Sequence, residues 1–220
     1  MHSNKIVKSR NNWQKIFQTA LEDLTGLIAP KKIIYCEGKK EADSNGAEAG
    51  IDAQVYNQIF EETEPDTIFI SSGGNTEPDK YSAVALKVLN KAFKDVELCL
   101  LKDKDINADG TPTTDKQRED FIKANSTMNR MLKRKEIENY LFDFEIVSKQ
   151  YPTVTSEQYA SKITNIQNGD VKNITGELMS LCGVTTGINQ NNFKLLLSKQ
   201  IVPTTTVYKE LLDCIFNKSI

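Results

Sequence analysis

Short apolar runs alternate with segments of helical periodicity through the first half of the chain. The runs at 31–36, 67–70 and 96–102 have the length of buried strands and are rich in isoleucine, leucine and phenylalanine. Between them, 51–61 and 79–94 place apolar residues at helical spacing. The order strand–helix–strand–helix–strand predicts a parallel sheet with right-handed crossovers. We therefore expect an α/β, Rossmann-like fold with helices flanking the sheet.

Further helices are predicted before and after this unit. The segment 10–28 has helical spacing and is closed by Pro30. A helix is expected at 115–125, and a short extended piece at 131–135 runs into a helical turn. Beyond Pro152 the pattern predicts helices at 156–165, 172–182, 190–200 and 205–217.

These patterns divide the chain into three parts. We expect a helical lead-in at 1–30, an α/β domain at 31–148 and a helical C-terminal region at 149–220. The hydrophobic fraction of 39% and the charged fraction of 26% are those of a globular protein rather than a disordered one. No apolar run approaches the roughly 18 residues of a bilayer span, and the N-terminus lacks the apolar core of a signal peptide. We expect a cytoplasmic protein without a membrane partner.

The cysteine and histidine content limits the kinds of metal site and catalytic base that the chain can form. Four widely spaced cysteines form no CxxC pair, so neither a zinc site nor a disulfide framework is indicated. His2 is the single histidine, which argues against a histidine base or ligand. Net charge is uneven, at +5 over 1–40, −10 over 41–120 and +3 over 121–220. This distribution alone favours solvated faces over a carboxylate site beside a phosphate-binding surface.

Polar residues follow each predicted strand. Glu37 and Glu41 follow the first strand, Gly73-Gly74-Asn75 the second, and Asp103 and Asp105 the third. Acids often begin loops, and paired glycines often form tight turns, so each signal is weak alone. All three, however, fall at the carboxyl ends of successive parallel strands, where such sheets bind ligands. Four converging carboxylates favour a hard divalent cation, Mg²⁺ or Mn²⁺, as their partner.

Four segments in this order resemble the topoisomerase–primase (Toprim) domain. The nearest likeness is to the nuclease half of the ATP-dependent nucleases of the overcoming-lysogenization-defect (OLD) type. The resemblance covers about residues 31–145 and implies an α/β fold whose acidic edge binds divalent metal and acts on a phosphodiester. The segments that carry it are IIYCEGKKE, FISSGGN, LLKDKD and LKRKEIENYL.

The resemblance also implies roles for individual residues. Glu37 matches the family's first glutamate, a metal ligand or general acid/base, and Glu41 looks like the second acid of the nuclease branch. Asp103 and Asp105 match the aspartate pair that holds metal, and Glu138 is similar to a further ligand. Lys135 is a candidate catalytic residue and a candidate contact for a phosphate group. Candidate nucleic-acid contacts are Lys39, Lys40, Arg130, Lys133 and Arg134, although a basic run is as typical of a solvated face.

The chain departs from the family in two respects. The segment ADSNGAEAGID after Glu41 is longer than the compact family version, which leaves the start of the following helix open. The sequence also contains no GxxxxGK[ST], so it brings no P-loop ATPase. The resemblance then implies an ATPase domain or subunit outside this chain.

These observations predict an endonuclease that hydrolyses DNA with one or two Mg²⁺ or Mn²⁺ ions, in anti-phage defence or DNA processing. RNA as substrate and a homodimer stay open. A phosphatase of the haloacid-dehalogenase type, with Asp103 as nucleophile and Asp105 as acid/base, is a second interpretation. In that family the aspartate pair follows the first strand, whereas here it follows the third. A third interpretation is a Toprim-like regulatory module that binds metal or nucleic acid but does not cleave nucleic acid.

Overall fold

The computed structural model describes residues 30–38, 50–71, 96–105, 107, 109–164, 166 and 170–217. The predicted helices at 10–28 and 79–94 lie outside these residues, as does the Gly73-Gly74-Asn75 segment. In the described ranges, no helix is long and apolar enough to cross a bilayer.

Within the described residues, four parallel strands form a sheet in the order β2-β1-β3-β4. The two central strands, β1 and β3, are buried because apolar side chains fill both of their faces. Ile34 of β1 pairs in register with Phe69 of β2 and with Cys99 of β3, and all three are buried. The α/β prediction, a Rossmann-like parallel sheet flanked by helices, is confirmed. The strands are β1 (Lys32–Cys36), β2 (Thr67–Ser71), β3 (Glu97–Lys102) and β4 (Asn129–Met131).

The helices lie close to the predicted positions. One helix, over Phe144–Gln150, was not predicted, although Asp143 caps it by accepting a hydrogen bond from the backbone N–H of Glu145. The extended piece expected at 131–135 is instead strand β4, two residues earlier. The helices are α1 (Ile51–Phe60), α2 (Asp115–Ala124), α3 (Glu138–Leu141), α4 (Phe144–Gln150), α5 (Ser156–Ile163), a 3₁₀ turn (Val171–Ile174), α6 (Thr175–Leu181), α7 (Gln190–Ser198) and α8 (Thr206–Ile215).

Helix α1 covers one face of the sheet. Val55, Ile59 and Phe60 are buried, as its apolar spacing predicts. The Phe60 ring stacks on Phe69 of β2 with centroids 5.8 Å apart, and the Tyr56 ring stacks on the same side chain at 5.1 Å. This aromatic packing holds the middle and the end of α1 against β2.

The C-terminal helices share the hydrophobic core of the sheet. A single cluster of buried residues includes Ile34 of β1, Leu197 of α7 and Leu211 of α8. Polar contacts add to it, because the Ser198 hydroxyl donates to the Gln58 side chain of α1 at 2.8 Å. A boundary at residue 148 stays a prediction, but the shared core holds α7 against α1 and α3, and the 3₁₀ turn against α3.

Strand β1 ends in a close approach to strand β2. Gly38 has φ of +148°, a backbone conformation that L side chains rarely adopt. A Cβ at this position would lie 2.7 Å from Oγ of Ser71, nearer than real Cβ atoms come to a neighbour. The glycine that follows Glu37 is therefore required by both the backbone conformation and the space, and it sets where Glu37 leaves the sheet.

We expect Gly38→Ala to lower the free energy of unfolding by about 1–3 kcal/mol, because it adds backbone strain and a clash with Ser71. Urea denaturation measures this change. Gly176→Ala is the matched control, since a Cβ at Gly176 would meet nothing within 4 Å in helix α6. The control should be neutral or stabilise by up to about 1 kcal/mol. Equal effects of the two substitutions would contradict the assigned role of Gly38.

Candidate functional site at the sheet edge

The ends of β1 and β3 bring three predicted acids to one edge of the sheet. Tyr35 of β1 pairs in register with Leu100 of β3, so Glu37 and the Asp103 to Asp105 segment both leave the sheet just beyond this pair. Glu37 and Asp105 lie within electrostatic reach of each other, as do Glu37 and Asp103. The structure therefore groups these carboxylates although 65 residues separate Glu37 from the next of them along the chain.

Burial and mutual repulsion disfavour negative charge in this group. Burial, with the nearby Asp105 carboxylate, raises the pKa of Glu37 to about 7. Burial also raises the pKa of Asp103 well above its ordinary value, and the charges of Glu37 and Asp52 act in the same direction. Such a group is stabilised by a proton or by a cation that enters it.

Asp52 belongs to the same cluster, and sequence analysis missed it. It lies in the first turn of α1, where burial raises its pKa to about 6 and Glu138 is the next contributor. An acid in the first turn of a helix is ordinarily explained by the helix dipole. The position of Asp52 could have identified it, because α1 is the first described helix after β1 and begins at the carboxyl edge of the sheet.

Glu138 is buried beside two lysines of the C-terminal region. It is 2% exposed at the start of α3, and its Oε1 accepts a hydrogen bond from Nζ of Lys194 in α7. Nζ of Lys172, in the 3₁₀ turn, lies 3.9 Å from the same oxygen. Glu138 is thus near the predicted cluster, with its charge balanced mainly by Lys194. Neither lysine was found from sequence, since neither lies in a recognisable motif.

Glu136 is a second acid that sequence analysis missed. It is 7% exposed, and its Oε1 is buried without a hydrogen-bond partner in the described part of the chain. Burial raises its pKa to about 7, and the neighbouring Glu138 carboxylate adds to the rise. The E-x-E spacing of Glu136 and Glu138 was a signal that could have identified it. A buried carboxylate oxygen without a partner is costly unless a proton or a cation meets it.

Of the two predicted lysines among the described residues, Lys133 and Lys135, Lys135 lies closer to these acids. Its ammonium group is 3.3 Å from the carboxylate of Asp170, and it lies within electrostatic reach of Glu136. Its backbone carbonyl accepts a hydrogen bond from the N–H of Lys104, between the two aspartates that follow β3, at 2.8 Å. This bond ties the loop that carries Glu136 to the loop that carries Asp103. Lys133 is exposed.

The prediction that Arg130 contacts nucleic acid is wrong. Its side chain is buried, and it donates hydrogen bonds to backbone carbonyls of Ile215 at 2.9 Å and Ser126 at 3.2 Å. A guanidinium group has five N–H donors, and here the Nε–H group joins β4 to the end of α8, while the Nη1 and Nη2 groups donate to backbone carbonyls of residues 126, 127 and 129. A basic run of this kind is typical of a surface, but Arg130 holds the C-terminal helix to the sheet.

Arg134 is also used within the fold. Its guanidinium group donates to both carboxylate oxygens of Glu210 in α8, at 3.2 and 3.0 Å, and to Asp143 at 2.6 Å. It also stacks on the Tyr140 ring, 4.8 Å from its centroid. Because two carboxylates neutralise this charge, Arg134 is not offered to a nucleic-acid backbone. Glu41, Lys39 and Lys40 lie outside the described residues, so their roles stay predictions.

The carboxylate oxygens at this edge are of the type that a hard cation prefers, but in the described residues they are not arranged as a coordination shell. In the described ranges, no group of three or more histidine, cysteine, aspartate or glutamate residues is placed to hold a metal ion. The acids that face the edge nevertheless offer only oxygen, which suits Mg²⁺ or Mn²⁺, and the Glu136 Oε1 atom needs a positive partner. Residues that fit such a role are Glu37, Asp103, Asp105, Glu136 and Glu138.

Comparison of the chain with protein-family models, with curated proteins and with solved structures found no match. The resemblance to the Toprim domain therefore rests on the sequence segments alone.

We expect Lys194→Met to lower the free energy of unfolding by about 3–5 kcal/mol, because it leaves the Glu138 carboxylate buried without its main partner. Chemical denaturation measures the loss. In Lys194→Met/Glu138→Leu most of the stability should return, since both charges are then removed from the interior. Lys162→Met, at an exposed pair with Glu177, is the control and should change stability by less than about 1 kcal/mol. A double variant no more stable than the single one would contradict the pairing.

Stability of the metal-free protein should fall as pH rises from about 4.5 to about 7. The pKa values of Glu37 and Glu136 are raised from 4.5 to about 7 in the folded state, so the folded protein binds more protons than the unfolded chain across this window. Thermal unfolding in EDTA should give a higher Tm at about pH 5.5 than at about pH 7.5. Glu136→Gln should flatten this dependence. A Tm that rises with pH would contradict the burial of these acids.

Proposed function

We propose that the protein is a divalent-metal-dependent endonuclease that hydrolyses phosphodiester bonds of DNA. The observation that carries the proposal is the convergence of Glu37 and Asp103, two half-buried acids with raised pKa values, at the adjacent carboxyl ends of β1 and β3. Parallel sheets bind ligands at this edge, and strongly perturbed acids in such a place are typical of catalytic sites. The resemblance to the nuclease branch of the Toprim family points to the same residues.

The carboxylates of Glu37, Asp103 and Asp105 hold Mg²⁺ or Mn²⁺ in this proposal, and Glu41 and Glu138 complete the predicted set. A bound ion supplies Lewis acidity and lowers the pKa of water. Glu136 adds a buried carboxylate oxygen that needs a positive partner. Burial raises the pKa values of Glu37, Asp103 and Glu136, so an entering cation displaces protons from these carboxyl groups.

In the absence of a bound ion, Glu37 has the pKa of a general acid or base, about 7, which places its carboxyl group near half protonation at neutral pH. As a metal ligand Glu37 is ionised and acts only as a ligand. It lies at the end of a rigid central strand, and Gly38 fixes the direction in which the chain leaves that strand. Lys135, beside Glu136, is placed to contact a phosphate if it exchanges its partner Asp170.

The family resemblance extends the proposal to a partner. An ATPase domain or subunit with a P-loop, outside this chain, would work with the nuclease on DNA. A role in anti-phage defence or DNA processing follows from the same resemblance. The same proposal includes two variants, in which the substrate is RNA or the protein assembles as a homodimer.

A non-cleaving module that binds metal or nucleic acid is the second candidate. Two observations favour it: no formed metal-binding group exists within the described residues, and Lys194 already balances the charge of Glu138. The phosphatase interpretation has less support, because Asp103 and Asp105 follow β3 and it leaves the grouping of Glu37 with these two acids unexplained.

We expect the wild-type protein to nick supercoiled plasmid with Mn²⁺ or Mg²⁺, and Asp103→Asn to lower the rate at least about a hundredfold, because it removes a metal-binding carboxylate. Gel electrophoresis of the plasmid measures the rate. Asp120→Asn, an exposed position on α2, is the control and should retain full activity. Plasmid left intact with hydrolysis of a small phosphomonoester would indicate the phosphatase, and binding without turnover would indicate the non-cleaving module.

A further inference from the structure

Lys172 is an exposed cation placed over the acidic edge by the C-terminal region. It lies in the 3₁₀ turn Val171–Ile174, and its side chain is 60% exposed. Nζ of Lys172 is 3.9 Å from Oε1 of Glu138, at the outer limit of an ion pair. Its side chain is therefore loosely held and can reach other groups without breaking a strong bond.

Glu138 does not depend on Lys172 for its main counter-charge. Lys194, with a side chain only 6% exposed, donates to the same oxygen and is enclosed by the fold. The two lysines thus differ in role, because one is buried and tightly paired and the other is solvated and loosely paired. Balancing the buried charge of Glu138 explains the position of Lys194, but it does not explain the position of Lys172.

The charge environment of Lys172 joins the two groups of acids. Partial burial acts to lower its pKa, but the carboxylates of Glu138, Glu136, Asp52 and Asp103 raise it above the ordinary lysine value. The same ammonium group lowers the pKa of Glu37. Lys172 is therefore a fixed positive charge at neutral pH, within electrostatic reach of the acids that follow β1 and β3 and of those beside α3.

A second observation indicates that a ligand enters here. Glu136, 7% exposed, has a buried Oε1 without a hydrogen-bond partner in the described chain, and Lys172 and Glu138 are among its neighbours. A cation that satisfies this oxygen brings positive charge to the edge. Even so, a DNA phosphate approaching a cluster of carboxylates is repelled unless a cation on the protein side also meets it.

We propose that the ammonium group of Lys172 contacts a backbone phosphate of the DNA held at the acidic edge, so that the C-terminal helical region takes part in substrate binding. This inference rests on the proposed function and deepens it. The contact is to phosphate alone, so it positions the strand and carries no base preference.

The test is equilibrium binding of a short fluorescein-labelled DNA duplex, followed by fluorescence anisotropy in Ca²⁺ over a range of KCl concentrations. We expect Lys172→Gln to weaken binding about threefold to tenfold and to reduce the slope of log Kd against log salt by about 1, the loss of one phosphate contact. Duplexes of unrelated sequence should show the same change. Lys172→Arg should retain the wild-type slope, because it keeps the charge.

Lys162→Gln is the matched control, since Lys162 is an exposed lysine of the same C-terminal region paired with Glu177 at 3.5 Å. It should bind DNA as the wild type does. Thermal unfolding of Lys172→Gln should give a Tm close to that of the wild type, which separates a binding role from a structural one. Equal affinity and salt slope for Lys172→Gln and Lys162→Gln would overturn the inference, as would a wild-type protein that binds no duplex.

The outcomes separate this inference from the proposed nuclease activity. Duplex binding that depends on Lys172, with no plasmid nicking by the wild-type protein, would support the phosphate contact and refute the nuclease. Nicking by the wild-type protein, with binding and rate unchanged in Lys172→Gln, would support the nuclease and overturn the phosphate contact.

Discussion

The buried ion pair of Glu138 and Lys194 is the constraint on which the acidic edge depends. Two charges are taken out of water here, and the arrangement is tolerable only because each is the other's close partner. The pair joins α3, which follows the last strand of the sheet, to α7 of the C-terminal region. Without α7, Glu138 would be an isolated buried charge beside Asp52 and Asp103, and the cluster could not form in this way.

Three other contacts hold the loops that carry the acids. Arg134 binds Glu210 and Asp143 and stacks on Tyr140, which anchors the segment before Glu136 to helix α8. The backbone bond from Lys104 to Lys135 joins that segment to the loop after β3. Gly38 turns the chain beside β2. Packing and hydrogen bonds thus hold the segments that carry the acids in place, as a preorganised site requires.

The sequence was informative where the physics is local. The runs 31–36 and 96–102 have apolar residues on both faces, which is typical of strands in a parallel sheet, and the carboxyl ends of parallel strands share an edge. For this reason the amino-acid pattern alone was enough to group Glu37, Asp103 and Asp105. The helix at Phe144–Gln150 was missed because it is short and begins only three residues after Leu141, the last residue of α3.

Long-range contacts could not be predicted in the same way. Lys194 meets Glu138 across 56 residues, and no periodicity marks it. Arg130 sits in a basic run that is typical of a surface, yet a contact across 85 residues with Ile215 draws it inside. Asp52 and Glu136 were missed since an acid in a first helical turn or next to lysines has ordinary explanations. Only the packing of the C-terminal helices on the sheet shows which charges are buried.

Direct measurement of Mn²⁺ binding by electron paramagnetic resonance tests the central claim most closely, because it asks whether the acidic edge holds a metal without relying on a chosen substrate. The account predicts saturable binding of one or two ions to the wild-type protein and loss of at least one of them in Asp103→Asn. Wild-type protein that binds no Mn²⁺ saturably, or an Asp103→Asn variant that binds as many ions with the same affinity, would contradict it.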